Sequence, residues 1–236
     1  MAILSAERIA GLIDSDGSLQ LQIQKGQENA LGFRPTIIIT VTNGDYFLLQ
    51  DIQETFKCGN ITRDKDAFAY RVNSVKQSLE ISNKVRHLFR GSAREEIPLW
   101  EHGLQLAKGG AFKTRTGGKK SEQIQLYIHL MYSINSKGER RKKSQEEWLK
   151  TFDLKLMVNF AEVEKKLRDD WYSMVPLQPL TGEYVSGFCQ GDGCFSLNNG
   201  KRFCPNFSVT DKDKNILELL RDFLGLNAKT VFPFDP

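Results

Sequence analysis

No apolar run in these 236 residues reaches the length of about 20 needed to cross a bilayer as a helix. Residues 1–10 contain neither the apolar core of a secretory leader nor the arginine-rich make-up of a transit peptide. Cysteine is scarce. The four thiols, Cys58, Cys189, Cys194 and Cys204, form no C-x-x-C pair, and His87, His102 and His129 are not spaced with them as zinc ligands. That excludes a structural zinc site of the usual spacing and leaves reduced cysteines in or near a core. The P-loop, G-x-G-x-x-G, H-E-x-x-H and G-x-S-x-G patterns are also missing, and with them the nucleotide, metalloprotease and serine-hydrolase sites those patterns build.

What is present is ordinary in bulk and uneven in distribution. Hydrophobic residues make up 40% and charged residues 26%, as in a globular protein of one large or two small domains. Net charge is only +4. The cations cluster, however: Lys137, Arg140, Arg141, Lys142 and Lys143 in one segment, Lys113, Arg115, Lys119 and Lys120 in another. Such clusters form either solvated faces or sites that neutralise phosphates.

The most informative feature is a repeat. Ile9-Ala10-Gly11-Leu12-Ile13-Asp14-Ser15-Asp16-Gly17 and Val185-Ser186-Gly187-Phe188-Cys189-Gln190-Gly191-Asp192-Gly193 each read as a helix with a small-Gly pair, ended by Asp-Gly and followed by a strand. In both copies the small-Gly pair lets a second helix backbone approach closely. Asp16 and Asp192 then fall at equivalent helix ends. Taken singly, Asp-Gly is also a common turn.

After the first copy, Ser18 to Gln24 alternate. Leu19, Leu21 and Ile23 share one face, Gln20, Gln22 and Gln24 the other. Arg34 to Thr42 form a second strand with Ile37, Ile39 and Val41 inward and Arg34, Thr36, Thr40 and Thr42 outward. Asn43 is placed to cap a helix from Asp45 to Phe56. Strands at Asn60 to Arg63 and Phe68 to Val72 follow, then helices at Lys76 to Leu88 and Ile97 to Ala107. The second copy repeats the opening of this order: strands at Cys194 to Asn198 and Phe203 to Thr210, a helix capped by Asp211, and a strand at Ala228 to Phe232. Between the copies, Glu122 to Ile134 and Glu146 to Leu167 read as helices, the latter with Trp148, Phe152, Leu156, Phe160, Val163 and Leu167 toward a core.

Two carboxylates brought together at the negative ends of two helices repel each other and the helix dipoles. One must hold a proton, or a cation must lie between them. Mg²⁺, for which Mn²⁺ substitutes, suits oxygen ligands of this kind. The outward strand faces carry Gln20, Gln22, Gln24, Arg34, Thr36, Thr40, Thr42, Arg63 and Arg71 in the first unit. The second unit carries Ser196, Asn198, Arg202, Asn206 and Ser208. Amides pair with adenine and arginine with guanine in the major groove, which also admits a β-ribbon.

These two segments resemble the signature of the LAGLIDADG homing endonucleases. The first departs from it only at Ile9 and Ser15, while the second keeps Gly187, Asp192 and Gly193. The resemblance implies an α+β fold of two pseudo-symmetric αββαββα-like units with a saddle-shaped antiparallel sheet, the second unit incomplete. Its expected boundaries are 1–110, a helical extension with a basic cluster at 111–180, and 181–236. It implies a monomer with an internal pseudo-twofold that cuts a long double-stranded DNA site. Asp16 and Asp192 would then be metal ligands and catalytic acids, assisted by the carbonyls of Ser15 and Gly191. Asp14 and Gln190 take structural roles. Arg94, or Arg90, stands where relatives often carry a lysine near the active site, and Arg94 is expected to be a third catalytic residue there, stabilising charge. Arg140, Arg141, Lys142 and Lys143 would meet phosphates. An intron of a mitochondrial or chloroplast genome is the implied setting. A splicing maturase that binds intron RNA, or a catalytically inactive DNA- or RNA-binding relative on the same fold, is the alternative.

Overall fold

A computed structural model describes residues 3–26, 31–112, 118–134, 143–154, 160–199 and 203–226; the side chains of 118–120, 198–199 and 203–205 are not described. The first helix, α1 (Ala6–Asp16), starts where the Ser5 hydroxyl accepts from the Arg8 N–H at 3.2 Å, and stops at Gly17. Strands β1 (Gly17–Lys25) and β2 (Phe33–Asn43) then form an antiparallel hairpin in the register Gly17 to Val41 and Lys25 to Phe33. The alternation read from the sequence sets its faces: Leu19, Leu21, Ile23, Ile37, Ile39 and Val41 are all buried.

Helix α2 (Tyr46–Phe56) is capped by Asp45, whose carboxylate accepts from Phe47 N at 2.9 Å. Asn43, expected to be that cap, instead accepts from Asp45 N at 2.8 Å and points elsewhere. Strands β3 (Asn60–Asp64) and β4 (Ala67–Val72) complete a sheet in the order β1-β2-β4-β3. Helix α3 (Val75–Val85) ends in a 3₁₀ turn at Arg86–Leu88. Helix α4 (Ser92–Lys108) begins at Ser92, earlier than the expected Ile97, and carries Pro98 in its interior. Its own N-cap, Gly91, has no side chain to offer. Asp14 of α1 supplies the acceptor from outside, taking Gly91 N and Ala93 N at 3.1 Å each.

Helix α4 covers the inner face of the sheet. Trp100 is fully buried and donates its indole N–H to the Gln20 carbonyl at 3.3 Å. Gly103 lies against Leu21, where a Cβ would collide with the leucine methyls. Helix α5 (Gly118–Ser133) adds Tyr127, which bridges the carbonyls of Gln22 and Thr36. Helices α6 (Gln145–Thr151) and α7 (Phe160–Met174) lie in the segment expected to be helical. Among its proposed core residues Phe160 is buried, while Trp148, Phe152 and Leu167 are half-buried against the core. Val163 is half-exposed, Leu149 is the buried residue the pattern missed, and Leu156 lies outside the described residues.

The second unit opens with α8 (Gly182–Asp192), capped by the Thr181 hydroxyl. Strands β5 (Gly193–Asn199) and β6 (Phe203–Val209) form a two-stranded ribbon, followed by α9 (Lys214–Phe223). The cap of α9 is Asp213, not Asp211. The expected strand at 228–232 lies outside the described residues. Register places Phe195 and Leu197 where the first unit has Leu19 and Leu21. They are 83% and 66% exposed, against 1% and 4% for their counterparts. Cys58 and Cys189 are half-buried free thiols; Cys194 is exposed, contrary to the core reading. Among the described residues no helix is long and apolar enough to cross a membrane.

Candidate functional site

The site is built on α1 and α8, which pack backbone to backbone. A Cβ on Gly11 would fall onto the Tyr184 carbonyl oxygen and lie 2.7 Å from Phe188 N. A Cβ on Gly187 would fall onto the Arg8 carbonyl oxygen. Arg8 and Tyr184 hold the same place in the two repeats, so the packing is reciprocal, as across a twofold axis. Arg8 Nε donates to Gln190 Oε1 at 2.9 Å, and the Ser5 hydroxyl to Glu183 at 3.2 Å, along the rim of this joint.

The parallel approach carries both helix C-termini to one place. A Cβ on Gly191 would stand 3.1 Å from the Asp16 carboxyl carbon and would overlap the Ser15 hydroxyl. Asp16 accepts from the Asn43 amide at 2.6 Å. Burial pushes its carboxyl up from the ordinary range, and the Asn43 hydrogen bond opposes this. Asp192 is pushed up to about 6 by burial, by the negative charges of Asp211 and Asp16, and by a hydrogen bond shared with Asp211. Carbonyls in the last turn of each helix lack intrahelical donors. Those of Ser15 and Gly191 therefore add acceptor oxygens beside two carboxylates, at the negative end of two dipoles. Such an oxygen-only donor set fits a hard divalent cation. Among the described residues no larger gathering of His, Cys, Asp or Glu forms a metal cage.

Asn43 and Asp211 are the site residues the sequence reading missed. Each stands two positions before the true helix cap, Asp45 or Asp213, and accepts its N–H. Each also turns to the acid that ends the motif helix of its own unit.

Asp14 has a separate task. Fully buried, it accepts from Arg90 N (2.8 Å), Gly91 N, Ala93 N and the Tyr184 hydroxyl (2.7 Å). Burial raises its pKa while those donors pull it down. Arg94 does not reach the motif acids as expected. Its guanidinium donates to the Val175 carbonyl at 3.1 Å and lies over Trp171 and Tyr172 at 5.2 and 5.4 Å. Arg90 is likewise held by the carbonyls of His87, Phe89 and Pro179. Arg90 also lies over Tyr184 of the second unit, whereas Arg94 ties the first unit to the helical extension, which corrects the catalytic expectation for Arg94.

The outward face of the sheet carries Gln20, Gln22 and Gln24 in a hydrogen-bonded row. Gln20 donates to Ser18 (2.8 Å), Gln22 to Gln20 (2.9 Å), and Gln24 to Gln22 (3.5 Å). Register sets Arg34, Thr36 and Thr40 opposite Gln24, Gln22 and Ser18, and Arg71 opposite Thr40; Thr42 shares their face. Thr36 and Thr40 are each 8% exposed, more covered than a plain outward strand face would be. Arg63 is a correction. It pairs with Phe68, on the helix-covered side, and donates to the Lys65 carbonyl. In the second unit Ser196 and Asn206 pair across the ribbon and Ser208 shares their face. Asn198 continues that register. Lys143 is tied to the following helix, α6, over Trp148 at 4.5 Å and bonded to the Thr151 hydroxyl at 3.0 Å. Arg140, Arg141, Lys142 and Arg202 lie outside the described residues.

The LAGLIDADG endonuclease family model matches residues 9–91. Among curated proteins no sequence matches this chain. Solved structures share its fold. The meganuclease I-SmaMI bound to uncleaveable DNA with a TTGT central four has a TM-score of 0.67 at 22% identity, covering 95% of this chain and 72% of that one. I-SmaMI bound to cleaved DNA gives 0.65 at 22% identity, over 94% and 72%. The LAGLIDADG meganuclease I-CpaMI bound to uncleaved DNA gives 0.65 at 18% identity, over 98% and 77%.

Proposed function

We propose that this chain is a site-specific homing endonuclease, a reading supported by the match of residues 9–91 to the LAGLIDADG endonuclease family model. It hydrolyses both strands of a duplex DNA target, working as a single chain with one acid from each unit. The observation that carries this reading is the meeting of the Asp16 and Asp192 helix ends at a joint closed glycine to backbone. The DNA-bound state of the structurally similar meganucleases supports the choice of duplex DNA as partner.

The roles follow from position. Asp16 and Asp192, with the Ser15 and Gly191 carbonyls, would hold Mg²⁺, with Mn²⁺ as a substitute. The cation supplies Lewis acidity and neutralises charge on a phosphodiester. Asn43 fixes the Asp16 carboxylate, and Asp211 hydrogen-bonds Asp192. Asp14 and Arg90 keep the two units in register, and Arg94 holds the helical extension against the first. The amide, hydroxyl and guanidinium groups of the outward face meet base edges, and the basic segment at 140–142 meets phosphates. An intron of an organelle genome as the coding site follows from the family resemblance. Retention of both acids favours cutting over a purely RNA-splicing role.

The test uses a plasmid carrying the intron-lacking junction sequence. With Mg²⁺ the wild-type chain linearises it. Asp16→Asn cuts about 10³-fold more slowly, the several kcal/mol of transition-state charge stabilisation lost, yet binds the duplex as before. Equal cutting by the variant, or no cutting by wild type, would sink the proposal.

A further inference from the structure

The repeat puts different side chains at one equivalent position. Gly17 pairs with Val41 across the first hairpin and Gly193 with Val209 across the second. Asn43 and Asp211 each stand two residues past that partner. Both accept the N–H of the helix cap that follows, Asn43 from Asp45 at 2.8 Å and Asp211 from Asp213 at 2.5 Å. Both then meet the motif acid of their own unit. In the first unit the contact is complementary, because the Asn43 amide donates to Asp16 at 2.6 Å. In the second it is not. Asp211 lies within hydrogen-bonding distance of Asp192, and two carboxylates offer each other only acceptors.

No basic side chain relieves this contact. Among the described residues none of the ion pairs involves Asp16, Asp192 or Asp211. Asp16 adds its own negative charge to Asp192. Like charges in contact beside the negative end of a helix are unfavourable, and a cation between them reverses the sign. Asp192 and Asp211 both keep partial exposure, so an ion reaches them from solvent. Mg²⁺ and Mn²⁺ accept one or two carboxylates and fill the remaining positions with water or phosphate oxygens. Among the described residues no three acids converge on one point. A cation between Asp192 and Asp211 is therefore separate from one shared by Asp16 and Asp192.

We infer that Asp211 is a cation ligand which, with Asp192, gives the second unit a divalent-cation position of its own, one that the first unit lacks. The inference rests on the DNA-cleaving reading above and extends its acid site by one side chain. Asn43 cannot do the same for the first unit. Its amide oxygen is engaged by Asp45 N, and it presents a neutral NH₂ to Asp16.

The test counts Mn²⁺ bound to the free chain by electron paramagnetic resonance, at mildly alkaline pH and without DNA. Wild type binds two ions. Asp211→Asn copies the side chain of the first unit and so keeps the loop hydrogen bond. It binds one ion, affinity at the lost position falling about 10- to 100-fold. Asp16→Asn also leaves one ion, Asp192→Asn leaves neither, and Asn43→Asp gains one. In chelator the unfolding midpoint of Asp211→Asn is no lower than that of wild type, so the lost ion is not a lost fold. Equal counts for wild type and Asp211→Asn, or a lower midpoint for the variant in chelator, overturn the separate position. The endonuclease reading then stands if Asp16→Asn still loses an ion. A wild-type chain that binds no Mn²⁺ overturns both.

Discussion

Asp14 and Asp16 stand two residues apart and do opposite things. Asp14 is buried among four donors and serves as a cap for a distant helix. Asp16 is half-buried with one amide partner and faces its counterpart from the other unit. The motif spacing made this division readable, because helix positions two apart point to different sides. Asp192 makes the electrostatics measurable. Its carboxyl moves from an ordinary 3.8 up to about 6. Between those values the folded chain holds a proton that the unfolded chain has released, so stability falls as pH rises through that window. Solvent screening of this half-exposed group reduces the size of the effect but not its sign. Urea midpoints in chelator should therefore fall more from about pH 4 to about pH 6 for wild type than for Asp192→Asn. Saturating Mg²⁺ should remove the difference. Parallel curves in chelator would refute the coupling.

At the scale of elements, the α1–α8 joint depends on absent side chains. Gly187→Ala would drive a methyl into the Arg8 carbonyl and should cost about 1–3 kcal/mol. Gly182 on the same helix faces open space, so Gly182→Ala is the control and should change little. Equal denaturation midpoints for the two variants would contradict the packing. The small-Gly pairs and the strand alternation were legible because they are local patterns. The caps were not. Asn43 and Asp45, like Asp211 and Asp213, are all good cap residues. Only tertiary structure draws the first of each pair toward a motif acid. The start of α4 was hidden for the same reason: its cap comes from Asp14, far away in the chain. Arg94 misled because nothing in its local sequence announces Trp171, Tyr172 and the Val175 carbonyl.

For the whole molecule, charge is distributed in patches rather than as a strong net excess. Affinity for duplex DNA should fall linearly with salt on logarithmic axes. Exchanging Arg140, Arg141 and Lys142 for Gln should flatten that slope by about 0.9 for each phosphate no longer neutralised. An unchanged slope would remove this segment from the interface. The repeat in the sequence also foretold two unequal units. An incomplete second unit also implied less cover for its sheet: α4 and α5 clothe the first sheet, whereas Phe195 and Leu197 of the ribbon are exposed.

Fusion of the halves has one more consequence. Two identical subunits would be obliged to present the same neighbour to each motif acid. A tandem polypeptide is released from that obligation, and here an amide accompanies Asp16 while a carboxyl accompanies Asp192. The cleft is thus chemically handed, and the left and right strands of any duplex laid across it meet different hosts.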